Sequence, residues 1–303
     1  MSLSLPEIFS EQENNNIFLE IYMWFFEILK AIFLGIIEGI TEWLPISSTG
    51  HMILFDEFVK LNVSEDFKEM FFVVIQLGAI LAVPTLFWQR LWPFSKSKSK
   101  EEKKSVLSLW LKVIVGAVPA AIIGFIFDDI LDEYLYTPWV VAAALVVYGI
   151  AFIVIEKLKA KKDTPFRVES VNDLTYKDAL VIGAFQVLSL IPGTSRSGST
   201  ILGGMLTGVS RVASAEFSFF MAIPIMLGAS LLKIAKFIYG GTSVTGFEIA
   251  LLLIGIVVAY IVSVAVIKFL MDFVKRHSFT AFGVYRIVLG LILISYFSIR
   301  LFV

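Results

Sequence analysis

Two short polar stretches interrupt an otherwise apolar chain of 303 residues. The first runs from Glu38 to His51 and the second from Gln186 to Thr200. Both are rich in hydroxyl groups, and the first adds carboxylates and an imidazole while the second adds a guanidinium. Ionisable groups are costly to bury between apolar helices and generally mark functional sites there. We therefore expect the chemistry of this protein at these two stretches.

Glu38 and Glu42 are four residues apart, so their carboxylates share one face of a helix. Both lie near the end of a helix that Pro45 terminates, where two anions repel each other and oppose the negative end of the helix dipole. A divalent cation between them, Mg²⁺ or Ca²⁺, would relieve that repulsion, because both ions prefer carboxylate oxygen. The alternative is a water-exposed helix face at the mouth of a hairpin.

A cluster of hydroxyl groups follows the proline of each stretch, Pro45 and Pro192, and precedes a new apolar run. Such residues are typical N-caps, but capping explains only one hydroxyl at each place. If both helices begin near the bilayer midplane, their free N–H groups converge on a ready-made anion site. The hydroxyl residues of these two clusters are Ser47, Ser48, Thr49, Thr194 and Ser195, and one more, Ser197, follows Arg196.

Arg196 and His51 give the predicted site its remaining functional groups. An arginine near the midplane costs about 2.5 to 3.5 kcal/mol on insertion scales, and its planar fork suits a phosphate. The alternative for Arg196 is an ion pair with Glu38 or Glu42. His51 follows the hydroxyl cluster closely, which favours a general base or a nucleophile over a purely structural residue.

Other polar residues near apolar runs carry weaker predictions. We expect Arg211 at a membrane interface with Glu216 as its partner, and Arg286 as a second phosphate contact or a structural pair. Gln76 and Gln186 lie inside apolar runs, where we expect their side-chain amides to form hydrogen bonds between helices.

The composition defines an integral membrane protein. Hydrophobic residues make up 58% of the chain and charged residues only 17%, which is more apolar surface than one soluble core can bury. There is no basic field for nucleic acid. The chain has no cysteine, which excludes disulfides, thiolate metal sites and cysteine nucleophiles.

Six apolar runs are long enough to cross a membrane, which takes about 20 helical residues. Two further apolar regions, 24–58 and 176–208, are each broken by a proline and a hydroxyl cluster, and each is predicted to form a re-entrant pair of half-helices. The predicted spans are 71–88, 107–127, 139–155, 213–237, 249–270 and 279–302.

Loop charges orient these spans, because Lys and Arg accumulate on the cytoplasmic side. Basic loops at 90–104 and 157–167 alternate with an acidic connection, Asp128 to Glu133, and Lys275 and Arg276 are basic again. The alternation requires both broken segments to enter and leave on one side of the membrane. Lys233 and Lys236 fall at an outer end and are expected to snorkel.

The chain then divides into residues 1–20 as a peripheral extension and two units, 21–160 and 161–303, within one membrane domain. Each unit is a broken hairpin followed by three spans, and an odd number of spans inverts the second copy. The predicted fold class is therefore an all-α polytopic membrane protein with six transmembrane helices, two re-entrant helical hairpins and inverted-topology repeats.

Two motifs resemble the undecaprenyl-diphosphatase family of the bacitracin-resistance type: E-G-x-T-E-x-L-P-x-S-S-T-G-H at 38–51 and P-G-T-S-R-S-G at 192–198. The resemblance covers nearly the whole chain after the N-terminal extension. It implies a cell-membrane hydrolase that converts a polyprenyl diphosphate to the monophosphate and recycles the lipid carrier for envelope glycans. The substrate would enter from the outer face.

Residue by residue, the resemblance places Glu38 and Glu42 at the divalent-metal and acid–base centre, Ser48 as the favoured nucleophile, His51 beside it and Arg196 on the phosphates. The other five hydroxyl residues would line the pocket. From the residues themselves, His51 or a metal-bound water would also serve as nucleophile. The sequence does not give the oligomeric state, and a homodimer is compatible with it.

Three other functions were weighed. A P-loop is rejected because its lysine is missing after the glycine-rich segment. The acid-phosphatase-like lipid phosphatases need a histidine where this chain has Leu202. A lipid-phosphate transporter or flippase would use the same anion site, and architecture alone does not separate it from an enzyme. The Glu38, Glu42, Ser48 and His51 set exceeds what binding requires.

Overall fold

The computed structural model describes residues 5–162 and 165–300, where the chain forms eleven α-helices. Side chains of residues 5–19, 128, 129, 132 and 162 lie outside the description. The helices are α1 (Leu5–Thr41), α2 (Ser48–Asp56), α3 (Glu65–Val74), α4 (Gln76–Leu91), α5 (Lys100–Leu135), α6 (Pro138–Lys162), α7 (Tyr176–Val187), α8 (Arg196–Leu206), α9 (Arg211–Tyr239), α10 (Gly246–Arg276) and α11 (Thr280–Arg300).

Among the described residues, six helical stretches are long and apolar enough to cross a membrane, which confirms the predicted number and positions. Helices α3 and α4 together make the first span, Glu65–Leu91, and α5, α6, α9, α10 and α11 make the others. The chain is a multi-pass membrane protein. The all-α class predicted from hydropathy is therefore correct.

The two broken regions form two pairs of helices, α1 with α2 and α7 with α8. Helix α1 ends at Thr41 and α2 begins at Ser48, whereas α7 ends at Val187, continues as a short 3₁₀ turn and is followed by α8 at Arg196. Pro45 and Pro192 lie in the breaks, where a residue without an N–H cannot continue a helix.

Side-chain caps begin several helices and fix where they start. Ser99 and Glu102 form a reciprocal capping box at α5, and Thr175 and Asp178 form one at α7. Thr245 and Glu248 do the same at α10. Each box satisfies two of the N–H groups that a helix leaves unpaired at its first turn.

Glycines bring neighbouring helices very close together. In α4, part of the first span, a Cβ on Gly78 would lie 2.0 Å from the carbonyl oxygen of Ile256 in α10. In α7, a Cβ on Gly183 would lie 2.2 Å from the carbonyl oxygen of Gly116 in α5. Small residues allow such backbone approach between membrane helices, and here they pack one span on another and a broken helix on a span.

Some expectations concern regions that the structure describes only in part. The acidic connection after the second span includes Asp128, Asp129 and Asp132, whose side chains are outside the described set. The backbone of residues 5–20 belongs to α1. The peripheral position of residues 1–20 stays a prediction.

Candidate active site

The two breaks have the same local geometry. Ser47 and Ser195 are 148 residues apart, and among the described residues they alone have a positive φ without being glycine, 75° and 73°. Each accepts a hydrogen bond on its hydroxyl from the residue three positions later, Gly50 and Gly198. Both serines are thus N-caps. The residues that follow the two strained serines, Ser48 and Arg196, both reach Glu42 of the first break.

Glu42 links the two breaks. The hydroxyl of Ser48 donates a hydrogen bond of 2.7 Å to Oε2 of Glu42, and Nη2 of Arg196 donates one of 2.8 Å to Oε1 of the same carboxylate. Glu42 is buried, with 6% of its surface exposed, whereas Ser48 and Arg196 are partly accessible. A carboxylate held by an arginine is therefore positioned to accept the proton of an accessible serine.

Arg196 has further contacts that fix its guanidinium. Nη1 donates to the carbonyl oxygen of Ser218 at 2.8 Å and to its hydroxyl at 3.1 Å. The guanidinium carbon lies 5.5 Å from the ring centre of Trp43, which is fully buried and packs edge-on against Phe219. Sequence reasoning missed both residues, because Ser218 reaches the arginine through the packing of α9 on α8, and Trp43 reaches it from the first break.

Glu38 lies one helical turn before Glu42 and is almost fully buried. Its Oε1 has no hydrogen-bond partner, and its nearest charged neighbours are Glu42 and Arg196. A buried carboxylate oxygen without a partner is costly. Among the residues described, no three His, Asp or Glu side chains converge. Two carboxylates suit Mg²⁺, which keeps waters and takes phosphate oxygens from its substrate.

A cavity of about 540 Å³ leads from this region to one end of the helices. Glu38 and Thr49 lie at its inner end together with Gln76, and Met52, Ile53, Phe72 and Leu232 give it apolar walls. Charged residues surround its mouth, with ion pairs joining Lys68 to Asp56 and Glu65, and Lys233 to Glu69. The residues at the mouth are Asp56, Glu57, Glu65, Lys68, Glu69, Lys233 and Lys236.

His51 is buried beside the first break, and both of its ring nitrogens have partners other than Ser48. Its Nδ1 lies 2.7 Å from the carbonyl oxygen of Ser47, and its Nε2 lies 2.7 Å from the hydroxyl of Tyr285 in α11. A direct hydrogen bond with Ser48, expected for its general base, is not among these contacts. The catalytic role of His51 stays a prediction, while the structure assigns it a contact with α11 that the sequence did not reveal.

Arg286 is fully buried and joins the two breaks through their backbones. Nη1 donates to the carbonyl oxygen of Pro45 at 3.1 Å, and Nη2 donates to those of Gly193 at 2.8 Å and Thr194 at 2.9 Å. Carbonyl oxygens occupy its fork, which is the structural alternative of the two that the sequence offered, and the phosphate contact stays a prediction. Arg286 holds the two turns together.

Of the other hydroxyl residues, one lines the cavity and the rest lie within the two breaks. Thr49 lines the cavity. Ser197 is buried and lies 3.2 Å from the carbonyl oxygen of Glu42, to which it donates, and Ser195 lies 3.1 Å from Ser197. The hydroxyl of Thr194 is buried without a partner. The structure therefore brings all the predicted residues to the two breaks, and it uses Ser47, Ser195 and Ser197 mainly to shape the turns.

The predicted pair of Arg211 and Glu216 does not form. Arg211 instead pairs with Glu156 of α6, and Glu216 pairs with Arg90 of α4 at 2.6 Å. Residues five apart point to different sides of a helix, so each reaches a different neighbour. Gln186 is fully buried and both of its amide atoms lack a partner, so its expected hydrogen bond between helices is not formed either.

The fold and the site together define a polytopic helical membrane protein with a serine, carboxylate and arginine centre, next to which Glu38 and Thr49 line a cavity. The family described as "Bacitracin resistance protein BacA" matches residues 31–292, and the chain belongs to this family.

Curated relatives match nearly the full length of the chain. An undecaprenyl-diphosphatase of Enterococcus faecalis is 60% identical over 272 residues, 89% of this chain and 97% of the relative. Undecaprenyl-diphosphatases of Acetivibrio thermocellus and Desulfitobacterium hafniense are 56% and 55% identical, covering 89% and 90% of this chain and 98% and 97% of the relatives.

Proposed function

We propose that this chain hydrolyses undecaprenyl diphosphate to undecaprenyl monophosphate and inorganic phosphate. The reaction regenerates the lipid carrier for cell-wall synthesis and thereby underlies bacitracin resistance. The family and its relatives' names support the reaction. The observation that carries the proposal is the hydrogen-bonded series from Ser48 through Glu42 to Arg196, which connects the two breaks.

The geometry supports Ser48 as the nucleophile. Ser48 Oγ attacks the terminal phosphorus and passes its proton to Glu42 Oε2. As the bond from phosphorus to the bridging oxygen breaks, Glu42 gives that proton to the departing monophosphate. Water then attacks the phosphoserine phosphorus, its proton passes through the Glu42 carboxylate to Ser48 Oγ, and the bond between Ser48 Oγ and phosphorus breaks to free phosphate. Phosphoryl transfer depends mostly on positioning and charge neutralisation, which Arg196 and the N–H groups at the start of α2 and α8 provide.

Glu38 and Glu42 would hold the divalent cation, Mg²⁺ or Ca²⁺. The unpartnered Oε1 of Glu38 and its nearness to the inner end of the cavity support this assignment. When bound, the cation supplies positive charge to the phosphate oxygens. Glu42 would then share its carboxylate between the cation, Ser48 and Arg196.

The two broken helix pairs are re-entrant hairpins within inverted repeats, 21–160 and 161–303. The matching caps at Ser47 and Ser195 support this. So does a reciprocal contact between α6 and α11, since a Cβ on Gly149 would lie 2.7 Å from the carbonyl oxygen of Gly283, and a Cβ on Gly283 would lie 2.7 Å from that of Gly149. Equivalent elements meet in this way around a two-fold axis.

The cavity opens to the outer side of the membrane. Its mouth includes Glu65 and Glu69 at the start of the first span, whereas the lysine-rich segment 96–104 follows the end of that span. Lysine-rich short loops are cytoplasmic. The mouth and the lysines lie at opposite ends of one membrane-crossing stretch, which supports an outward-facing site.

Phosphate release from farnesyl diphosphate by the purified protein in detergent tests the function. We expect release with Mg²⁺ or Ca²⁺ and its loss with a chelator, restored when the metal is added back. A reaction without enzyme controls for spontaneous hydrolysis. Absence of release at every metal concentration would contradict the phosphatase activity. Lipid-phosphate transport would then be the function assigned to the anion site.

A further inference from the structure

The hydrogen bonds of His51 determine which of its nitrogens carries the proton. The carbonyl oxygen of Ser47, 2.7 Å from Nδ1, can only accept a hydrogen bond. Nδ1 must therefore be the protonated nitrogen. In the neutral ring Nε2 is then an acceptor, and the hydroxyl of Tyr285 at 2.7 Å donates to it. Neither nitrogen of neutral His51 is left to take the proton of Ser48.

Tyr285 contacts His51 in a geometry that fixes the ring plane as well as the tautomer. The two rings are parallel within 4°, with centres 5.7 Å apart. His51 is 4% exposed, so its hydrogen bonds form away from bulk solvent, while the tyrosine ring is 44% exposed. Such a second hydrogen bond to an imidazole sets its orientation in the same way as the outer partners of metal-binding histidines do.

The carbonyl group that His51 holds belongs to Ser47, whose backbone is strained. Ser47 has φ of 75°, it caps α2, and Ser48 follows it directly. A non-glycine residue with this backbone persists only where the surroundings over-determine it. His51 provides one such constraint on its carbonyl group.

We propose that Tyr285 is a positioning residue for the reaction, acting through His51 on the Ser47 turn so that the Ser48 hydroxyl stays on Glu42. The proposal rests on the proposed function, in which Ser48 is the nucleophile and Glu42 its base. His51 in this arrangement is a positioning residue too. Tyr285 lies next to Arg286 in α11. One turn of this helix therefore contacts the first break through His51 and joins the backbones of both breaks through Arg286.

Nitrogen NMR of the detergent-solubilised protein tests the tautomer without using activity. The chain has only two histidines, so ¹⁵N-histidine labelling gives two pairs of ring-nitrogen signals, and His277→Gln assigns them. We expect His51 to be protonated at Nδ1 in the resting protein and to exchange between tautomers in Tyr285→Phe. A His51 ring protonated at Nε2 alone, or a spectrum that Tyr285→Phe leaves unchanged, would overturn the proposal even if the phosphatase activity is confirmed.

Kinetics of conservative variants separate positioning from proton transfer. An asparagine has an amide N–H near the place of Nδ1 but no basic nitrogen. We expect His51→Asn to keep turnover within about tenfold of the wild type and His51→Ala to lose about 100-fold, the cost of a misplaced reacting group. Equal inactivity of both variants would show that His51 transfers the proton or attacks phosphorus, and would overturn the proposal.

A double-variant cycle tests the link between Tyr285 and His51. We expect Tyr285→Phe to lower kcat about tenfold with little change in KM, and to have no further effect in the His51→Asn background. Tyr296→Phe, on the same helix with its ring against Phe58 and Phe297, is the matched control and should retain full turnover. Additive losses would show that Tyr285 acts independently of His51 and would contradict the proposal.

Discussion

Arg196 and Glu42 form an ion pair of 2.8 Å although they are 154 residues apart in the chain. Each belongs to a different broken helix pair, and the same carboxylate accepts the hydroxyl of Ser48. The sequence offered this ion pair and a phosphate contact as alternatives for Arg196. The structure shows the ion pair, with Nη1 of Arg196 held by Ser218.

Substitution of Ser48 by alanine tests the nucleophile. We expect kcat to fall by at least about 10³-fold, because removing a nucleophile leaves only binding and electrostatic stabilisation. Initial rates of phosphate release at saturating metal measure this. Ser295→Ala is the matched control, since its hydroxyl is exposed and only bonds to its own helix at Leu291. Near-normal turnover of Ser48→Ala would rule out the serine.

Substitution of Arg196 by lysine tests the planar fork. Lysine keeps the charge but cannot bind Glu42, Ser218 and a phosphate from one rigid plane. Loss of one charged hydrogen bond costs about 1.5 to 3 kcal/mol, so we expect kcat/KM to fall about 10- to 100-fold. Arg276→Lys, at the exposed end of α10, is the control. Unchanged kinetics in Arg196→Lys would show that charge alone suffices.

Substitution of Glu38 by glutamine tests the metal assignment. Losing a ligand should weaken Ca²⁺ or Mg²⁺ binding more than the roughly 10- to 100-fold that loss of an outer partner costs. Calorimetric titration of the metal measures the affinity, and a parallel titration of activity shows whether higher metal restores turnover. Glu248→Gln is a suitable control because glutamine also completes a capping box. Equal metal affinity in Glu38→Gln and wild type would show that Glu38 is not a metal ligand.

Substitution of Gly78 by alanine tests the close packing of α4 on α10. The added Cβ would meet the backbone oxygen of Ile256 at 2.0 Å, which no side-chain movement relieves. Overpacking of this kind costs about 1 to 3 kcal/mol, so we expect a lower midpoint of thermal unfolding in detergent. Gly228→Ala in α9 meets nothing within 4 Å and should be neutral or stabilising. The same midpoint in both variants would contradict the packing.

The orientation of the cavity can be tested by cysteine labelling, because the chain has no cysteine of its own. Tyr239 is the last residue of α9, at the end of the helix that lines the cavity, and it is 91% exposed, so we use Tyr239→Cys as the first variant. Lys96→Cys lies in the lysine-rich segment. We expect a membrane-impermeant maleimide added to intact cells to label the first variant and to label the second only after permeabilisation. The reverse pattern would place the site on the cytoplasmic side.

The sequence determined the elements that hydropathy and local chemistry control. Span length follows from apolar runs, and the breaks follow from Pro45 and Pro192, so six spans and two broken helix pairs were predictable. N-caps depend on neighbours three residues away, so the hydroxyl clusters after Pro45 and Pro192 were predicted to supply the caps, and the structure uses Ser47 and Ser195. The two motifs also contain both residues that hydrogen-bond the Glu42 carboxylate, Ser48 and Arg196.

Tertiary packing decided which partner each polar group finds. The rotation of α9 separates Arg211 from Glu216, and the position of α11 directs Arg286 to backbone carbonyls and Tyr285 to His51. No local pattern encodes these choices, because hydrogen-bond partners across a membrane protein depend on helix faces and depths set by close contacts such as the one at Gly78. The sequence thus determined which groups the site contains. Packing determined that the Glu42 carboxylate accepts hydrogen bonds from both Ser48 and Arg196.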